Sequence, residues 1–340
     1  MKLSPGYPLV AQSFATALLV LAAGYSAPAQ STTYAEKLGY PEGTKVVILH
    51  IDDVGMSHDS NRGAIKALEE GVANSLSIMM PCSWVPEFAH YYRRHPGLDA
   101  GLHLTLTSEW ETYRWGPITS TACPSLVDER GAFHASVDEV VQHADLNDVE
   151  KEIRAQIELA RNMGIDPTHM DTHMGTMFAT PEFTRIYVTL GIEYGIPIML
   201  PGGHNTLISR ESEISGHEQK QLQKAGQQLW EAGLPVLDDL HNFSYGWKVP
   251  PEMAGDDPVL QQYWTQKYID SFDELQPGIT MVITHCTDPS ETFSSISDSG
   301  PLRKADLLAM TSPGLASYFE REQIILATWK ELQKRRNQLK

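Results

Sequence analysis

The run Val46-Val47-Ile48-Leu49-His50-Ile51-Asp52-Asp53-Val54-Gly55 constrains the fold more than any other stretch. Four apolar residues, three of them β-branched, lead through His50 and Ile51 into two adjacent carboxylates and a glycine. An apolar run of this length, bounded by a turn residue, reads as a strand buried on both faces. Such strands belong to parallel sheets covered by helices, where chemistry gathers at the C-terminal strand ends. Two carboxylates side by side repel unless a cation or a shared proton relieves them. A helix N-cap at Asp53 or Ser57, opening a helix near Asn61, is the alternative; a cap uses one aspartate and leaves the other unexplained.

The rest of the chain alternates between strand and helix patterns. Helical spacing covers residues 60–71, 86–95, 148–163, 181–195, 219–231 and 263–275. Strand patterns cover 73–80, 100–107, 167–174, 196–200, 235–240 and 278–286. A helix over 301–310 and a long one over 315–339, with a basic end suited to the helix dipole, close the chain. Residues 108–147 lack periodicity but carry Trp110 and Trp115, so they read as an ordered loop over the active-site face. Strand-helix units without a linker predict an α/β fold with one domain over residues 30–340: a (β/α) barrel, irregular and seven-stranded.

The first 29 residues read differently. Lys2, an apolar run over 14–24 and the small residues around Ala27-Pro28-Ala29 make a secretory signal peptide, with cleavage expected after Ala29. The apolar run is short for a bilayer span. The mature protein is therefore expected to be exported, periplasmic or secreted, and free of the membrane once cleaved. A net charge of −17 argues against nucleic acid as partner. Three cysteines, Cys82, Cys123 and Cys286, are too few for a disulfide scaffold and have no zinc-thiolate spacing.

Polar residues collect at the expected strand ends: Asp52 and Asp53 on the first, His103 on the third, Asp171 and His173 on the fourth, His285 on the seventh. His169, Asp171 and His173 alternate, which places them on one face of a strand. Two histidines and a carboxylate from three strands form a His₂Asp set that leaves positions open for water and substrate, as catalytic metals require. His58, His90, His95, His134, His143 and His217 read as surface residues; His204 and His241 sit in loops near the same mouth.

These residues carry a resemblance. The segments His50-Ile-Asp-Asp-Val-Gly with Ser57 and Asn61-Arg62-Gly63, Asn74-Ser75-Leu76-Ser77, Pro96 to Thr105 around His103, and Thr168-His169-Met-Asp171-Thr-His173 resemble the YdjC-like carbohydrate deacetylases of the ChbG/HpnK type, distant relatives of the polysaccharide deacetylases. The resemblance implies that Asp53, His103 and His173 bind one divalent metal ion, with Asp171 behind them. It implies Asp52 as the base that activates water and His285 as the acid that protonates the leaving amine. Zinc and magnesium both suit such a set, as do manganese and cobalt. The chain departs from the pattern at His50, where asparagine is common. It departs again at Gly175 and Met177 in place of histidines, and at His285-Cys286-Thr287 in place of His-Pro-Gly; the usual arginine is not evident in 196–200. Trp84, Trp110, Trp115, Trp247 and Tyr245 are candidates to stack on sugar rings, loop packing being the plainer role. The expected function is removal of N-acetyl groups from an acetylated amino sugar or oligosaccharide. Another metal-dependent hydrolase, such as a phosphoesterase or amidohydrolase, or a non-catalytic carbohydrate-binding barrel, is the alternative.

Overall fold

The first strand continues for ten residues, β1 (Lys45–Val54), after a short capped helix, α1 (Tyr34–Lys37). All of β1 beyond Lys45 is buried, as its unbroken apolar run requires. The computed structural model describes residues 32–339; the segment read as a signal peptide lies outside them. Then come α2 (His58–Glu70), β2 (Ser75–Ile78), α3 (Val85–Tyr92), β3 (Ala100–Leu104), α4 (Val137–His143), α5 (Leu146–Asn162), β4 (Met170–Thr172) and α6 (Pro181–Tyr194). The chain goes on through α7 (Thr206–Glu211), α8 (Gly216–Glu231), β5 (Asp239–His241), α9 (Asp257–Phe272), β6 (Gly278–Thr284), α10 (Gly300–Met310), α11 (Pro313–Arg321), β7 (Ile325–Leu326) and α12 (Trp329–Gln338). No described helix is long and apolar enough to cross a membrane.

The strands form one parallel sheet in the order β4-β3-β2-β1-β6-β5, with β7 paired to the start of β1. The sheet is curled, and its regular ladder is open between β4 and β5. The expected fifth strand, residues 196–200, contributes only single bridges, Met170 to Ile198 and Pro201 to Leu237. The physical reason is in the segment itself. Pro197 and Pro201 have no N–H to give, so a continuous ladder cannot run through them.

The end of the chain also differs from expectation. The long helix over 315–339 is broken in two, because Gln323 takes a left-handed conformation (φ 54°) and Ile325–Leu326 joins the sheet as β7. Thr328 then caps α12, whose first two amides, at Trp329 and Lys330, donate to buried Asp99. Helix α4, unforeseen inside the loop 108–147, carries a capping box in which Ser136 and Glu139 satisfy each other's backbone amides. The same loop is anchored by Glu152, which is fully buried and accepts the amides of Ile118 and Thr119. It is pinned again by the Trp115 indole N–H, which donates to Thr107 O at 2.8 Å. None of the three cysteines is paired, and all are buried.

Candidate active site

The C-terminal end of β1 is bent. Pairing with β2 shifts register between Ile51 and Val54, and Asp53 adopts a left-handed backbone (φ 64°). In a regular strand Asp52 and Asp53 would point to opposite faces. The bulge turns both into the same cleft. Gly55 completes the turn (φ +87°), and a Cβ there would lie 2.6 Å from Val85 Cγ2. Asn61 latches the bend, its Oδ1 accepting the Gly55 amide at 2.8 Å while its Nδ2 donates to Trp84 O and Glu87 Oε2.

His103 and Asp171 are register partners on β3 and β4, and their side chains meet: His103 Nδ1 lies 2.8 Å from Asp171 Oδ1. A carboxylate only accepts, so Nδ1 carries a proton, and Nε2 is the nitrogen left to offer a lone pair to an ion. That Nε2 lies 3.3 Å from Asp53 Oδ1. His173 lies just past β4, where the chain enters a turn through two left-handed residues, Met174 and Gly175. Its Nε2 lies 3.1 Å from Glu109 Oε2, which leaves Nδ1 to face Asp53 Oδ1 at 3.3 Å. Two ring nitrogens and one carboxylate oxygen thus converge, and Asp53 Oδ1 is buried without a hydrogen-bond partner. Two imidazoles and a carboxylate with their other atoms held from behind are a donor set that fits a divalent cation.

Strong fields act on this cluster. Burial alone would raise the Asp53 carboxyl, but the Arg303 guanidinium, with His103 and His173, holds it well below the usual carboxylate range. Arg303 comes from α10, and its Nη1 donates to Asp53 Oδ2 at 2.7 Å. Burial opposes protonation of His173, but Glu109 and Asp53 push it up to about 9. His285 follows β6 and is held by its own amide, which donates to Asp306 Oδ2 at 2.9 Å. Its Nε2 lies 3.9 Å from Asp52 and 4.0 Å from Asp53, and burial, then Arg303, push it below the ordinary imidazole value.

The structure therefore brings together Asp52, Asp53, His103, Asp171, His173 and His285, all lining one cleft of about 1340 Å³. Trp84, Trp110, Trp115 and Trp247 are not among its lining residues. Trp84 stands exposed beside His58, Trp110 and Trp115 pack with Tyr113, and Trp247 packs on Trp264 and Tyr268. Tyr245 does line the cleft, with its hydroxyl 3.5 Å from Asp52 Oδ2 and its ring edge-on to His285. His169 lies deeper, just before β4 begins, and stacks on Trp329, while His173 lies just past the end of β4. His134, expected at the surface, is buried and stacks on His143. His204 bonds Thr206, and buried His241 bonds Ser271; neither lines the cleft.

Sequence reasoning missed Arg303 and Glu109. Neither sits at a strand end, and no spacing rule connects position 303 to position 53; only the placement of α10, packed against α2 and α9, does. Arg303→Gln leaves the buried Asp53 carboxylate without its guanidinium, a change that costs about 3–5 kcal/mol for a buried pair. The expected result is a chain that, under chelator, unfolds at lower urea than wild type and regains more stability on adding a divalent ion. Equal urea midpoints for the two chelated proteins would show that the pair contributes nothing.

Fold and site together define a parallel α/β protein with a buried His₂Asp donor set and a free carboxylate at the bottom of an open cleft. The pattern of the family described as YdjC-like protein matches residues 46–321, and the chain belongs to that family. It is 31% identical over 278 residues to a carbohydrate deacetylase of Thermus thermophilus, covering 82% of this chain and 90% of that one. It is 26% identical over 286 residues to a carbohydrate deacetylase of Brevibacillus brevis, covering 84% and 99%. Among solved structures it shares its fold with a protein from Enterococcus faecalis V583, whose provisional name refers to cellobiose-phosphate cleavage. That likeness has a TM-score of 0.67 at 22% identity and covers 85% of this chain and 99% of that one.

Proposed function

We propose that the protein is a metal-dependent hydrolase that removes N-acetyl groups from an acetylated amino sugar or oligosaccharide. The observation that carries this reading is the convergence of Asp53 Oδ1, His103 Nε2 and His173 Nδ1, with Asp52 and His285 beside them. The two deacetylase relatives support the substrate class. Asp53, His103 and His173 would hold a divalent ion, which would supply Lewis-acid polarisation of the acetyl carbonyl and lower the pKa of a water near it. Zinc or magnesium would serve.

The chain's own groups do the rest. Asp171 and Glu109 hold the two imidazoles in the tautomers that offer lone pairs to the centre. Asp52, whose Oδ1 lies 3.2 Å from the His50 ring and whose carboxylate stands beside the three donors, takes the proton of the attacking water. His285 donates a proton to the leaving nitrogen as the amide C–N bond breaks, giving acetate and the free amine. Burial and Arg303 disfavour its charged form, so a proton it carries is given up readily. Tyr245, exposed at the mouth, offers a ring to the sugar. The cleft exceeds the roughly 300–1,000 Å³ of a drug-sized site, which suits a substrate longer than one residue.

Export after cleavage behind Ala29, one domain over 30–340 and an irregular, seven-stranded (β/α) barrel with 196–200 as its fifth strand belong to the same proposal. The test is acetate release from N-acetylglucosamine oligomers by the mature chain after chelation and re-addition of zinc or magnesium. Release should vanish with chelator and return with one ion. No release from any acetylated amino sugar with an ion bound would overturn the reading, and phosphate release from phosphomonoesters would select the phosphoesterase.

A further inference from the structure

His50 is fully buried in β1, and the mechanism above makes no use of it. It is also the position where the family resemblance leads one to expect asparagine. Its ring is held at both nitrogens. Nδ1 lies 2.9 Å from the hydroxyl of Ser75, its register partner on β2. Nε2 lies 2.7 Å from Asp171 Oδ2, 3.0 Å from Ser77 Oγ and 3.2 Å from Asp52 Oδ1. Since carboxylates only accept, that Nε2 carries a proton. The other oxygen of Asp171 takes the Nδ1 proton of His103. One N–H therefore faces two carboxylates with different duties: the one that orients a metal-ligating imidazole, and the one placed to receive the proton of the attacking water.

The charge on this ring follows from its surroundings. Burial would push His50 down, but Asp171 and Asp52 outweigh it and push it up to about 9. The ring is buried behind a cluster that holds three carboxylates, Asp52, Asp53 and Asp171. An asparagine at this position would supply amide hydrogens with no charge and a shorter reach.

We infer that His50 is a positioning residue whose Nε2–H ties Asp52 to Asp171, so that the base and the support of the metal ligand are held as one unit. The inference rests on the hydrolase reading of this centre. It separates two effects of losing His50. If the ring only props up Asp171, losing it weakens ion binding. If it ties Asp52 to Asp171, losing it leaves the ion in place and frees the base.

In His50→Asn and His50→Gln, kcat for acetate release should fall roughly 10–100-fold, while KM and the ion's dissociation constant change by less than about threefold. Unchanged kcat would overturn the inference, and so would a loss of ion affinity matching the loss of kcat. A second readout needs no turnover. Heteronuclear NMR of the His50 side chain in the full mature chain should show its Nε2–H resonance displaced by Asp52→Asn, which replaces one of its two charged acceptors. A resonance that Asp52→Asn leaves in place would overturn the tie. The NMR arm also stands if the His50 variants fail to fold. If the wild-type chain releases no acetate from any acetylated sugar, the hydrolase reading falls by itself, and the position of the Nε2–H resonance still decides whether His50 holds Asp52.

Discussion

Asp53→Asn is expected to empty the centre: bound ion should fall from one per chain to below about a tenth, and kcat/KM for deacetylation by about 10³-fold or more. The reason is geometric. Asp53 Oδ1 is the point both ring nitrogens face, each at 3.3 Å, and it is the only anionic atom of the donor set. An amide at this position keeps the size but offers a neutral oxygen, and it leaves Arg303 facing the site without its charge partner. Asparagine is the right replacement because position 53 is left-handed (φ 64°), a conformation that asparagine tolerates and alanine does not. Loss of ion binding then reports the charge and not a broken bend. Metal content after dialysis, measured beside acetate release, checks the prediction. Full ion occupancy in the variant would mean that the centre lies elsewhere.

Asp52→Asn is expected to do the reverse, keeping the ion and losing the turnover. Asp52 is not one of the three donors Asp53, His103 and His173, and its buried Oδ1 lies 3.2 Å from the His50 ring. Removing a positioned general base typically costs about 10²–10⁴-fold, and the loss should appear in kcat with KM nearly unchanged. Steady-state kinetics on the same acetylated oligomers, with metal content measured in parallel, separates this variant from Asp53→Asn. An unchanged kcat would move the base role away from Asp52, and Glu109, which also lines the cleft, would be the next carboxylate to replace.

How far these residues could be found by reading the chain in order varies with the physics that places them. Strand ends are local. The buried run of β1 and the histidines closing later strands announce themselves through apolar runs and turn residues, and in a parallel sheet all such ends share one side. Asp52, Asp53, His103, Asp171, His173 and His285 were legible for that reason, and the structure sets all six along one cleft. The elements read less well wherever the signal was not periodic. Residues 196–200 look like a strand by composition, but Pro197 within them and Pro201 just past them prevent the ladder. Residues 315–339 look like one helix, but Ile325 and Leu326 leave it to pair with β1. The tryptophans were read by residue type alone, and type does not say which way a ring faces. Trp110 and Trp115 pack on each other and on Tyr113, Trp247 packs on Trp264 and Tyr268, and Trp84 stands beside His58, while Tyr245 takes the place at the mouth.

What residue order settled here is the class of fold and the identity of the donors, because burial, periodicity and strand-end position are properties of short segments. What packing settled is how those donors act. A one-residue bulge brings Asp52 and Asp53 to the same side, against the alternation a strand imposes. Arg303 reaches Asp53 from 250 residues away, and His50 touches Asp171 across two neighbouring strands. None of these contacts has a spacing that could be written down beforehand. Each exists because a buried charge must find a partner in three dimensions, and the fold, not the neighbouring sequence, supplies it.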